Sequence, residues 1–172
     1  MKLIVIIAIA LTSLCAIGAA QTPDPLPAEA QKVLKFFVGK CDTTVDGEPA
    51  LKGAATGVLV LGDRFVRDDF VLKDGDGNVV LQVSSMITYD TDAKLYRMWM
   101  FSSTGEITPS EGKWDEATRT LTTNSRDAKG QTTKWTSVFS AEGVETWGFV
   151  TKDKDGNVVV EVKGKSTARS KG

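Results

Sequence analysis

Residues 64–70 read RFVRDDF and residues 96–101 read YRMWMF, and each puts chemistry-bearing side chains into a stretch that alternates like a strand. In RFVRDDF, alternation sets Arg64 and Asp68 on one face with Val66 and Phe70. Arg67 and Asp69 share the other face with Phe65 and Val71. Whichever face is buried carries an arginine and an aspartate with it, and buried charges need partners. A buried arginine offers a planar fork to a carboxylate or phosphate; a structural ion pair is the competing use of the same residues. In YRMWMF, Tyr96, Met98 and Met100 face one way and Arg97, Trp99 and Phe101 the other. Trp135 and Phe139 share a face further on, as do Trp147 and Phe149. Such residues on an inner surface either line an apolar pocket or fill a solid core. The candidate ligand-binding set is Trp99, Trp135, Trp147 and Phe149 as apolar wall, with Arg67 or Arg97 as polar anchor.

Catalysis has little to draw on. The chain contains no histidine, which removes Ser–His and Cys–His pairs, the common zinc sites and a proximal-histidine haem. Two carboxylates at a suitable distance can hydrolyse a glycoside, and Asp68, Asp69, Glu106 and Glu111 are available, but no spacing pairs them. No catalytic residue, metal ligand or cofactor is expected.

Two aspartate-rich stretches invite a metal reading: KDGDGNVV at 73–80 and KDKDGNVV at 152–159. A calcium loop of the EF-hand type needs glycine at its sixth position and glutamate at its twelfth. Counted from Asp74 those positions are Val79 and Ser85; counted from Asp153 they are Val158 and Gly164. In both copies Gly-Asn falls between strand-like runs, which is hairpin chemistry. YDTDAKLY (89–96) and WDEATRTL (114–121) form a second echo, with an aspartate placed to accept backbone N–H groups in the turn.

The elements that must position these residues are mostly strands. One helix is legible in AEAQKVLKFF, where Ala30, Val33, Leu34 and Phe37 make one apolar stripe. Pro27 suits its first position and Gly39 its stop. From Cys41 on, the period is two. Strands are expected near 41–46, 54–61, 64–72, 79–89, 95–101, 106–113, 120–125, 131–140, 145–152 and 158–166. Val158, Val160 and Val162 are expected on one face of the last. About ten short strands with short links describe an antiparallel meander, and so long a sheet curls and closes, removing its edges. An up-and-down barrel with one short amphipathic helix near its mouth is the expected all-β fold. Ten strands leave a wider interior than eight.

The amino terminus carries a different message. Met1-Lys2, an apolar run from Leu3 to Leu11, and Gly18-Ala19-Ala20 read as a secretory signal peptide, residues 1–20, cleaved before Gln21. Lipid attachment at Cys15 is the lesser alternative. Residues 21–27, QTPDPLP, hold three of the five prolines and read as an extended linker that contributes nothing to a core. Residues 28–172 form the single barrel domain. Cleavage removes Lys2 from the 21 basic residues and none of the 22 acidic ones, leaving a net charge of −2. With no basic run or stripe, neither nucleic acid nor an anionic membrane surface is an expected partner. The apolar run is too short and interrupted for a membrane span. Cys41 would then be the one cysteine of the exported chain, which leaves stability to packing.

The order FFVGKC (36–41), LGDRF (61–65), YDTDAKLYRMW (89–99) and EGKWDEATRTLT (111–122) resembles the exported bacterial domain-of-unknown-function family 1579. The likeness covers most of the chain after residue 20. It implies a lipocalin-like, calycin-type barrel and, by analogy, an apolar ligand, and supplies no catalytic set. Cys41 stands where the pattern has tryptophan, and Asp63 replaces a second glycine before Arg64-Phe65. The leading expectation is an exported, secreted or periplasmic, non-enzymatic barrel binding a small, largely apolar molecule. A solid barrel that contacts a partner protein is the runner-up. A carboxylate-dependent hydrolase or isomerase, which needs a buried acid with a raised pKa opening onto a cleft, comes third.

Overall fold

Period-two alternation becomes ten strands in the computed structural model, which describes residues 24–47 and 50–168. Helix α1 (Ala28–Lys35) is followed by β1 (Gly39–Val45), β2 (Leu51–Val60), β3 (Phe65–Lys73), β4 (Val79–Asp90) and β5 (Leu95–Ser102). Strands β6 (Ile107–Asp115), β7 (Thr120–Arg126), β8 (Thr132–Phe139), β9 (Val144–Lys152) and β10 (Val158–Ala168) complete the chain order. Each strand pairs antiparallel with its successor, and β10 pairs antiparallel with β1 from Cys41↔Ala168 to Val45↔Gly164, closing the barrel. An even strand count permits this, because the first and last strands of a meander then run in opposite directions. The expected spans agree closely; the largest difference is β2, which begins at Leu51 rather than 54.

Successive turns alternate between the two ends, and α1 packs across the end that holds the β2–β3, β4–β5, β6–β7 and β8–β9 turns. Val33 and Leu34, almost wholly buried, meet Val66, Ile87, Tyr96, Met98 and Leu121 from the strands. Phe36 stacks on Trp114 and Phe139, and Arg119 lies 5.1 Å from the Phe36 ring centroid. Lys32 reaches Glu116, whose other oxygen accepts the Trp114 indole N–H. The helix is therefore a plug for one end, rather than a neighbour of an open mouth.

Two details of the amino-terminal region differ from expectation. Leu26, in the proline-rich segment, is only 5 % exposed and belongs to the core beneath α1. Its carbonyl accepts a bond from the Gln31 side chain. Proline spacing describes stiffness, but one leucine next to a helix start is enough to dock the chain. Pro27 is the residue before the helix (φ −51°, ψ 140°), not its first position, and its carbonyl accepts the Gln31 N–H. The signal-peptide reading falls on residues 1–20, outside the described residues.

Gly57 makes the plug fit. A Cβ there would come within 1.6 Å of the Phe37 carbonyl oxygen, so β2 must be bare where the chain leaves α1. At the same end, Asp63, Lys94 and Arg119 adopt φ of 61°, 53° and 51°. The two basic residues close the echoed turns, in which Asp90 accepts N–H bonds from Asp92 and Ala93, and Asp115 from Thr118.

At the far end stand the aspartate-rich turns. Asp74 Oδ1 accepts the N–H groups of Asp76 and Asn78, and its Oδ2 accepts the Asn78 side-chain amide. Asp153 repeats each bond with Asp155 and Asn157, and Asp127 repeats the backbone pair with Lys129 and Gln131. Gly77, Gly130 and Gly156 follow with φ of 86°, 82° and 88°. The Asn78 and Asn157 side chains, ahead of the backbone donors, hold the carboxyls of Asp74 and Asp153 below the usual range. Three hairpins thus solve one backbone problem with one residue pattern.

Candidate functional site

The barrel is not filled. Between the α1 plug and the far rim lies a cavity of about 520 Å³, within the range of small-molecule pockets. Phe37 forms part of its floor, and it reaches solvent beside Thr104 and Glu106, both exposed. Each strand face is fixed by which of its alternating residues the core accepts. Val66, 0 % exposed, commits Asp68, Phe70 and Leu72 to the same inward face. Met98, buried in the core, commits Met100 and Ser102 likewise.

One wall is a stack of three aromatic rings. Trp135 on β8 sits directly across from Phe149 on β9, and Ser137 across from Trp147. The Trp135 and Trp147 rings lie 5.3 Å apart and 7° from parallel; Trp135 and Phe149 lie 5.4 Å apart at 13°. Phe70 meets Trp147 edge-on from β3 at 6.1 Å. Gly164, the β10 partner of Trp147, makes room for the indole, since a Cβ there would lie 2.4 Å from the ring. Both indole N–H groups are used: Trp135 donates to Ser137 Oγ at 3.1 Å and Trp147 to Ser166 Oγ at 3.0 Å. The Ser166 hydroxyl also bonds Thr43 Oγ1 at 3.0 Å. The indoles are therefore locked in orientation, held by these bonds and by the rings stacked on them.

Toward the floor the lining becomes acidic. Glu145 on β9 lies across from Phe139 on β8 and from Ser166 on β10. Burial pushes its carboxyl up to about 7, against the opposing effect of hydrogen bonds from Ser137 and Ser166, and the Asp68 charge raises it further. Asp68 lies across from Ser85, another cavity residue. Burial, then the charge of Asp69, raises its carboxyl to about 6. Apart from Glu106 at the mouth, these are the charged residues lining the cavity, and no lysine or arginine does so among the described residues.

Of the residues expected to bind a ligand, Trp135, Trp147 and Phe149 line this cavity, whereas Arg67, Arg97 and Trp99 lie outside it. Arg67 pairs with Asp69 at 3.1 Å with about half of each side chain exposed. Arg97 pairs with Asp90 at 2.8 Å and Glu111 at 3.3 Å. Parity is the reason: Val66 and Met98 are inside, so Arg67, Arg97 and Trp99 face out. Arg64 lies just before β3 and donates to the Asp24 carbonyl, not to Asp68. The arginine–aspartate pair that the sequence suggested exists, but on the outer face. Sequence reasoning did not single out Glu145, although its alternation with Trp147 and Phe149 would have placed it on the same face. In the sequence, Asp68 and Asp69 are equal candidates for the inward carboxylate of β3. No protein-family model matches the chain, and neither does any curated protein it was compared with.

Proposed function

We propose that the protein is an exported barrel that binds a small, largely apolar molecule in its interior. The observation that carries this reading is the solvent-reaching cavity of about 520 Å³ with the Phe149–Trp135–Trp147 stack along its wall. A well-packed interior leaves few voids larger than a water molecule, so a space of this size bounded by locked, parallel rings suits an occupant. Export rests on the pattern of residues 1–20, and the resemblance to family 1579 is consistent with both.

Tryptophan fluorescence with native mass spectrometry tests the reading. A panel of alkyl and aryl probes should produce a saturable change in emission. The change should survive Trp99→Phe, which alters an outer-face indole, and be lost in the Trp135→Phe/Trp147→Phe double variant. No saturable response to any probe, with no small molecule retained in the native spectrum, would sink the proposal.

One observation favours a second reading. Asp68 and Glu145 are partly buried acids with raised pKa values that open onto a cleft, as acid–base catalysis requires. Turnover of a glycoside or ester probe that is lost in Glu145→Gln would move the assignment from binding to catalysis.

A further inference from the structure

If the cavity is a binding site, the charge it presents narrows what it takes. We propose that its ligand is an organic ammonium, with the cationic head between Asp68 and Glu145 near the floor and the apolar body along the aromatic stack. The inference rests on the binding reading above and adds a chemical class to it.

Three observations converge. Several carboxylates on the outside of the barrel have a basic partner: Asp69 has Arg67, Asp90 and Glu111 have Arg97, Glu116 has Lys32, and Glu161 has Lys163. Among the described residues, no ion pair includes Asp68 or Glu145, the two acids that line the cavity below its mouth. A pair of partly desolvated carboxylates without a counter-charge is disfavoured, and a bound cation supplies that charge. Phe70 and Trp147, each two residues along its strand from an acid, set apolar rings beside Asp68 and Glu145, and such a low-dielectric surrounding strengthens the attraction of a cation to them. Lastly, the polarity is graded: the acids lie near Phe37 and Phe139, while Trp147, Phe149 and Thr151 follow Glu145 in turn along β9 toward the rim. That run covers roughly 20 Å of strand, long enough for a head-first alkyl chain. A carboxylate or phosphate head would instead meet two like charges.

The groups facing Asp68 and Glu145 are each other, Glu106 at the mouth, and the hydroxyls of Ser85, Ser137 and Ser166. Asp69, on the outer face of β3, acts on Asp68 through its charge. All the titratable groups among these are acids, so binding of a cation should strengthen as pH rises from 5 to 8.

Titrating the full exported chain with decylammonium, decanol and decanoate below their aggregation thresholds separates the possibilities. We expect decylammonium to bind roughly tenfold more tightly than decanol at pH 8, and decanoate more weakly than decanol. The ammonium preference should shrink several-fold at pH 5 and vanish in Asp68→Asn/Glu145→Gln. Asp69→Asn removes the neighbouring charge from the outer face and should retain the preference. Decanoate binding as tightly as decylammonium, or no difference between decylammonium and decanol, overturns the assignment while leaving a binding cavity. A preference lost equally in Asp69→Asn overturns it too, by showing that the field is not local. Failure of all three probes overturns this inference and the binding reading together.

Discussion

Asp68 and Glu145 show what a single side chain gains or loses from its surroundings. Asp69, one residue from Asp68, points outward, accepts a bond from Ser84 at 2.7 Å and pairs with Arg67. Asp68 points inward and has only desolvation and a like charge acting on it. The consequence for stability has a definite sign. Below the ordinary values of 3.8 and 4.5, both acids are protonated whether the chain is folded or not. As pH rises, the unfolded chain ionises first, while the folded chain holds these protons until about 6 and about 7. Their contribution therefore favours folding at low pH and is lost across that window, levelling off above it. We expect Asp68→Asn to stabilise the ligand-free protein on the order of 2 kcal/mol at pH 8 and hardly at all below pH 4. Urea unfolding at the two pH values is the measurement; an equal effect at both would show that Asp68 is not desolvated in the folded state.

The strands and turns are legible because their rules are local. Gly-Asn between valine-rich runs calls for a hairpin, and the bonds of Asp74 and Asp153 show why aspartate leads each turn. The missing glycine and glutamate separate these turns from a calcium loop, and the carboxylate oxygens are engaged within the turns themselves. Local rules fail where two strands lose register. A bulge between Val158 and Val160 sets Val158 opposite Lys152, while Val160, opposite Thr151, keeps the parity of Val162 opposite Phe149, so strict alternation fails at Val158 alone. Gly57 lies between these cases, since its role depends on an element distant in sequence. Gly57→Ala should cost about 3 kcal/mol, because the added methyl meets backbone that no rotamer can move aside. Gly75→Ala, where nothing lies within 4 Å and φ is not positive, is the matching control and should be nearly neutral. Comparable Tm values for the two variants would mean that α1 does not rest on β2 in this way.

At the scale of the whole molecule, ten strands and one helix divide the interior into a packed end and an open one. Leu34, 0 % exposed beneath the helix, belongs to the packed end. Leu34→Ala should destabilise the protein by about 3 kcal/mol, lowering Tm by roughly 10 °C. A fall of only a degree or two in calorimetry would show that the plug is dispensable. The sequence by itself determined the class of fold, the order of the strands and the nature of the turns, because alternation and turn residues act over a few neighbours. It also excluded histidine chemistry by composition. Only the tertiary structure decided which face of each strand points inward, since that choice follows from what Val33 and Leu34 accept across the barrel. The same choice put Arg67, Arg97 and Trp99 outside and Asp68 and Glu145 inside, so the charged lining of the cavity is acidic rather than basic. RFVRDDF held both versions. Burial of Val66, a long-range fact, selected between them.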